Sequence, residues 1–290
     1  MHNGHVPQFL SDHGVAISYS AWPLDRARGV VQIVHGLGEH SGRYAELAGR
    51  LNASGYAVYA HDLRGHGETA RLPGGETQPG HRMGPDGVRT AEADILRFTR
   101  LLRDEVLQEQ GPGLPLFVLG HSLGSLLLQR VINTRSTAFD GVVLTGTALR
   151  MPGSMDGGDL TRRHRPARGQ GTGFEWLSRD VAMQQKAADD PYMFEAKALK
   201  ELGVRDGLLL FGVPSRRIRR DLPVLIMGGS DDILGGTASM RRLAKAYTHR
   251  SRLADVEVVV FPDARHEVFN ETNRAEVAGR LVDWLEHHTP

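Results

Sequence analysis

The 290-residue chain contains no cysteine. That absence removes disulfides, thiolate-ligated zinc and a cysteine nucleophile together. It also fits a reducing, cytoplasmic setting. Net charge is nearly absent: 35 Lys and Arg face 34 Asp and Glu, a formal balance of +1. No global basic field exists to hold a polyanion, so no nucleic-acid partner is expected. Long apolar runs are missing too, and none approaches the ~18 residues of a membrane-spanning helix. The opening MHNGHVPQFLSDHG lacks the basic and then apolar pattern of a secretory signal. What remains, 40% hydrophobic and 24% charged residues, suits a water-soluble globular chain of one large α/β unit.

The stretch that organises the chain is PLFVLGHSLGS, residues 115–125. A short apolar run ends at Gly120, and SLLLQRVI continues from Ser125 with helical spacing. The first reads as a buried parallel strand and the second as a helix packed on the sheet. Gly120-His121-Ser122-Leu123-Gly124 at the junction is the pattern of a nucleophile elbow. Side chains at the two glycines would strike the neighbouring strand and helix.

The rest alternates around this unit. Residues 8–24 read as an edge hairpin turning at Asp12-His13-Gly14. Strands are expected at VVQIVHG (30–36), YAVYAHD (56–62), GVVLTGT (141–147), PVLIMGG (223–229) and VEVVVFP (256–262). Helices are expected from a Ser41 cap to Gly55, from Asp86 to Glu109, over 237–247 and from Glu271 to His288. Residues 68–85 read as loop. Between 150 and 220 the periodicity breaks into Gly-rich segments and short helical pieces. The alternation implies a mostly parallel α/β sheet, whose sites form at the carboxyl ends of its strands.

His35, Asp62, Ser122, Asp231, Asp232 and His266 all follow expected strands. A serine nucleophile needs a base in reach and an acid to orient that base. His266, after the last strand, is the candidate base. Asp231 and Asp232, after the strand before it, are the candidate acids. The order serine, aspartate, histidine is that of α/β-hydrolases. The oxyanion hole would use the backbone N–H of Leu123 and that of Leu37, in the His35-Gly36-Leu37-Gly38 loop. His35 reads as a support for that loop, and Asp263 as a residue shaping its own. His121 reads as a packing or turn residue beside the serine.

VHGLGEHSGRY (34–44), HDLRGHG (61–67), GHSLGS (120–125), GGSDD (228–232) and RHEVFNE (265–271) together make the chain resemble the monoacylglycerol lipase/lysophospholipase branch of the α/β-hydrolase superfamily, which is grouped with serine aminopeptidases. The likeness runs from about Arg28 to the final helix, and FEWLSRD (174–180) looks like a cap segment of bacterial members. It implies an eight-stranded sheet flanked by helices, a helical cap between strands six and seven, and a Ser-Asp-His triad without metal or organic cofactor. Matching Gly229-Ser230-Asp231-Asp232 to the family's Gly-x-x-Asp turn selects Asp232. Leu123 and Ser125 stand where the family commonly has Met and Gly; Leu123 contributes only backbone.

The expected organisation is core (1–149), cap (150–220) and core again (221–290). Within the cap Trp176, Leu177, Met183, Met193, Phe194 and 208–211 could line an acyl site or hold the cap down. Trp176, Met193, Phe194 and the nearby His121 are the candidate substrate contacts. The cap carries 14 Lys and Arg against 9 Asp and Glu. The excess lies in Arg162-Arg163-x-Arg165 with Arg168, and in Arg216-Arg217-x-Arg219-Arg220, which raises contact with an anionic membrane surface. The expected activity is hydrolysis of acyl esters of glycerol or glycerophospholipid. The alternatives are an aminopeptidase, with Glu39 receiving an α-ammonium, and a non-catalytic binding module.

Overall fold

The computed structural model describes residues 7–72, 83–84, 86–111, 113–167 and 170–290. Arg168 and most of the expected 68–85 loop lie outside the described residues. Five strands are buried along their whole length: β3 (Gly29–Val34), β4 (Tyr56–His61), β5 (Leu116–His121), β6 (Gly141–Thr145) and β7 (Val224–Gly229). Continuous apolar runs are required there because both faces of the sheet are covered. With β1 (Gln8–Leu10), β2 (Ala16–Trp22) and β8 (Val256–Phe261) they form one eight-stranded sheet of order β1-β2-β4-β3-β5-β6-β7-β8. The β1–β2 and β2–β4 pairs are antiparallel and all the others parallel.

Alternate residues of the central strands serve opposite faces. Ile33, Phe117 and Leu119 pack with Leu47 and Leu51 of α1 (Ala45–Ala53) and Leu281 and Trp284 of the C-terminal helix (Arg274–His287). Val34, Val118 and Leu144 pack on the other side. Their partners include Ile95 of α2 (Gly87–Leu101) and Leu127 and Ile132 of the helix after the elbow (Leu123–Arg135). Leu243 of the helix Gly236–Ala246 joins them. The helix α2 continues through a wider π-type turn, Leu102–Leu107, into α3 (Gln108–Gln110). In this order the elbow helix is α4 (Leu123–Arg135). The cap region between β6 and β7 contributes α5 (Val181–Asp189) and α6 (Ala198–Leu209). The helix before β8 is α7 and the last is α8.

Two expected helix starts differ. Ser41 does not cap α1: a short 3-10 turn, Ser41–Tyr44, intervenes, and the Ser41 hydroxyl pairs with that of Ser20 at 2.8 Å. The last helix begins at Arg274 rather than Glu271. Glu271 is fully buried, and its carboxylate accepts N–H groups from Arg265, Arg179 and Thr272 instead of opening a helix.

Candidate active site

The elbow is built at the end of β5. Ser122 has φ 49° and ψ −120°, a conformation that non-glycine residues adopt only when their surroundings enforce it. Here the Ser122 amide donates to Thr145 O on β6 at 3.0 Å, and Ser125 Oγ donates to Ser122 O at 2.7 Å. The close approach of strand and helix explains the flanking glycines. A Cβ on Gly124 would lie 2.1 Å from Val34 O, and one on Gly120 would lie 2.7 Å from Leu128 Cδ1.

The loop after β8 carries His266, which is 1% exposed. Its Nδ1 donates to Asp232 Oδ1 at 2.9 Å, and the same oxygen accepts the Leu234 amide at 2.9 Å. Because the carboxylate can only accept, Nδ1 carries the proton and Nε2 keeps its lone pair. Nε2 is buried without a hydrogen-bond partner among the described residues. It shares a narrow pocket with Ser122. Burial pulls the His266 pKa down, but the charge and hydrogen bond of Asp232 outweigh it and hold it above the ordinary value. Burial pushes Asp232 up, and His266 overrides that to hold it below the usual carboxylate range. Asp231 turns the other way. Its oxygens lie 2.5 Å from Arg163 and 3.3 Å from His164, both in the cap. Asp263, at φ 58°, ties its loop back through its amide to Ser230 Oγ at 2.8 Å.

His121 lies beside His266, ring to ring at 4.7 Å, yet behaves oppositely. Burial, with the neighbouring His266, pushes its pKa down to about 3. Its Nδ1 pairs with Thr145 Oγ1 at 3.2 Å, so it is a neutral wall of the cavity.

The loop after β3 lies against the serine; a Cβ on Gly36 would approach Ser122 Cβ to 2.8 Å. His35 holds this loop, donating from Nδ1 to Gly36 O and accepting the Leu63 amide at Nε2, both at 2.8 Å. The Gly36 amide is taken by Glu39 Oε1 at 2.5 Å and the Gly38 amide by His66 Nε2 at 3.2 Å. Between them the Leu37 amide has no acceptor among the described residues, and neither has the Leu123 amide at the start of α4. Asp62 braces the same corner by accepting the amides of Ser41 and Glu68 at 2.7 and 2.8 Å.

Glu39 was not expected to be structural. It is buried, and Oε1 also accepts from Tyr44 Oη at 3.0 Å. Burial and the charge of Glu267 push its pKa up to about 7. Arg43 lies 2.5 Å from Glu267 but 3.6 Å from Glu39, so it holds Glu267 below the usual carboxylate range and offsets the rise at Glu39 only in part.

The cap roofs the cavity. Trp176 lies 5.0 Å from the His266 ring, and Phe174, Leu177, Met193, Phe194 and Ala196 complete the apolar wall around Leu37. Met183 and residues 208–211 are not part of it: Leu210 joins the core, while Leu208 and Phe211 face solvent. The FEWLSRD segment is fastened to the His266 loop by contacts that sequence could not reveal, since partners lie about 90 positions apart. Glu267 N donates to Leu177 O at 2.7 Å, Arg265 to Ser178 O at 3.1 Å, and Arg179 Nε to Glu271 at 3.0 Å. The second wall is tied by Phe194 N to Gly38 O at 3.0 Å.

The two arginine clusters separate. Arg162, Arg163 and Arg165 pair with Asp156, Asp231 and Asp159. Arg216–Arg220 lead into the amino end of β7, at the sheet edge opposite the cavity.

Comparison with known proteins agrees with this geometry. The family described as serine aminopeptidase, S33, matches residues 25–273. A monoacylglycerol lipase of Mycolicibacterium smegmatis is 29% identical over 97% of this chain and 96% of its own. A phospholipase of Bacillus subtilis is 26% identical over 88% of this chain and 94% of its own. Among solved structures, a thermostable carboxyl esterase of Bacillus coagulans in complex with glycerol aligns with a TM-score of 0.78 at 25% identity, covering 99% of both chains. The match takes in core and cap alike, and the chain is therefore a serine hydrolase of the S33 family within the α/β-hydrolase superfamily.

Proposed function

We propose that this esterase acts on acyl esters of glycerol or glycerophospholipid through an acyl-enzyme, with Ser122, Asp232 and His266 as its triad. His266 Nε2 takes the Ser122 proton as Oγ attacks the ester carbonyl. The Leu37 and Leu123 amides receive the oxyanion, helped by the positive end of α4. Asp232 stabilises the imidazolium, which then protonates the leaving alcohol and later activates water. The observation that carries the reading is the cavity itself: an unpartnered imidazole nitrogen and the elbow serine under an apolar roof of Trp176, Leu177, Met193 and Phe194. Such a roof suits an acyl chain. The glycerol-ester class is supported by the monoacylglycerol lipase relative, and the phospholipase relative supports the glycerophospholipid arm.

Peptide cleavage is less well supported. Glu39 is the motif-borne carboxylate, but Oε1 is spent on Gly36 and Tyr44, and burial favours its protonated form. Contact with an anionic membrane surface is a separable part of the proposal. It rests on Arg162, Arg163 and Arg165 of the first cluster and on Val204, Leu208 and Phe211, which α6 and its end leave exposed. The ion pairs of Arg162, Arg163 and Arg165 make its electrostatic part small. The deciding experiment compares kcat/KM on monoacylglycerols, lysophospholipids, p-nitrophenyl esters and aminoacyl anilides. Preference for an anilide over every ester would overturn the reading. Absence of turnover on all of them would favour the binding module.

A further inference from the structure

The second arginine cluster forms a site of its own. Arg216 and Arg220, on the segment entering β7, meet His249, Arg250, Ser251 and Arg252, on the turn before β8, around an open cleft of about 500 Å³. None of the four guanidiniums has a carboxylate within 4.0 Å among the described residues; the nearby Asp221 and Asp255 are engaged by Arg219 and His288. Four exposed cations gathered at one cleft without a counter-ion make a locally positive surface that suits an anionic ligand. The cleft is also shaped. Arg250 is fixed by Nε donating to Pro214 O at 2.8 Å, and the Ala254 amide binds Arg220 O at 2.9 Å, joining its two sides. Ser251 lines it, is 2% exposed, and its buried Oγ has no hydrogen-bond partner among the described residues. A buried hydroxyl is ordinarily satisfied, and Ser251 Oγ would meet a ligand oxygen only once the turn shifts to uncover it.

We propose that this cleft binds a compact phosphoryl anion carrying two or more phosphate groups, remote from the ester site. Several forked guanidiniums suit the bidentate geometry of phosphate oxygens. The cleft lies at the amino ends of β7 and β8, whereas Asp232 and His266 follow their carboxyl ends. Six residues of strand separate the two by roughly 20 Å. A bilayer on the arginines would leave the ester cavity facing away, so a concave site for a soluble anion is the better fit.

Calorimetric titration of the full chain with tripolyphosphate at about 0.1 M salt tests this. Binding is expected, weakening as salt rises. The double variant Arg216→Gln, Arg252→Asn should reduce affinity at least about tenfold through loss of two charged contacts. Asn is chosen because position 252 has φ 58° and Asn tolerates it. Ser251→Ala should weaken binding less. Circular dichroism and kcat/KM on a soluble p-nitrophenyl ester should stay unchanged in both. Failure of the wild type to bind, or equal affinity in the double variant, overturns the proposal. A second arm uses phosphatidylglycerol vesicles. Vesicle binding that the double variant abolishes and tripolyphosphate cannot displace would assign the arginines to a lipid surface and overturn it equally.

Discussion

Replacing Asp232 by asparagine should separate two functions of that carboxylate. Asp232 Oδ1 receives both the His266 ring N–H and the Leu234 amide. An amide nitrogen cannot face Leu234 N–H, so the asparagine oxygen must occupy the Oδ1 position. His266 then keeps its tautomer and loses only the negative charge beside it. With charge centres about 4 Å apart and an effective dielectric of about 20, that charge is worth about 4 kcal/mol to an imidazolium. The expected fall in kcat is therefore about 10³-fold. Asp232→Ala also frees the ring and orphans the Leu234 amide, so it should fall further, toward the roughly 10⁴-fold loss seen when a triad aspartate is deleted. The pH profile gives an independent check. Only neutral His266 can accept the proton, so wild-type kcat/KM should decline as pH falls through a pKa raised above the ordinary histidine value. In Asp232→Asn burial becomes the stronger influence and the acid limb should move to lower pH. Steady-state rates on a p-nitrophenyl ester across pH 5–9, about two units either side of neutrality, measure both quantities. An asparagine variant no more active than the alanine one, or an acid limb that rises, would refute the reasoning.

Ser122→Ala should fold normally and lose several orders of magnitude in kcat, and a serine-directed phosphonate should label Ser122 alone; labelling of the alanine variant would move the nucleophile elsewhere. Asp231→Asn, which breaks only a contact with the cap, should change kcat less than about tenfold. Lengthening the acyl chain should raise kcat/KM by up to about 0.8 kcal/mol per methylene until the apolar cavity is filled, and a flat response from two to about ten carbons would remove the acyl site. Gly124→Ala drives a methyl into Val34 O and should destabilise by about 3 kcal/mol or more, seen as a lower urea midpoint.

Much of this architecture was legible because the signals are local. The run Leu116–Leu119 and the two glycines around Ser122 specify strand, turn and helix within eleven positions. Strand order then brings the segments of Ser122, Asp232 and His266 to one edge. The choice between Asp231 and Asp232 was harder, because adjacent residues carry the same chemistry and differ only in direction. The cap was least legible. Leu208 and Leu210 look equivalent in sequence, yet one faces water and the other the core. Glu271 reads as a helix opener, and its burial depends on Arg179, 92 positions away. Arg216 and Arg220 read as part of the cap and instead meet a turn before β8, because the chain must travel to the amino end of β7 before the sheet can resume.

The uneven fastening of the roof bears on how such an enzyme can diversify. The FEWLSRD segment and His266 hang from one loop, through Glu267, Arg265 and Glu271. A change in that segment alters the position of the base, so it is felt as lost turnover whatever the substrate. The stretch from Met193 to Ala196 has a single backbone link to the loop of Leu37. It can change its side chains with little disturbance to His266, and its variants should differ in KM and chain-length preference more than in kcat. Natural variation in substrate choice would then gather at 193–196, while 174–180 is held still by the chemistry it covers.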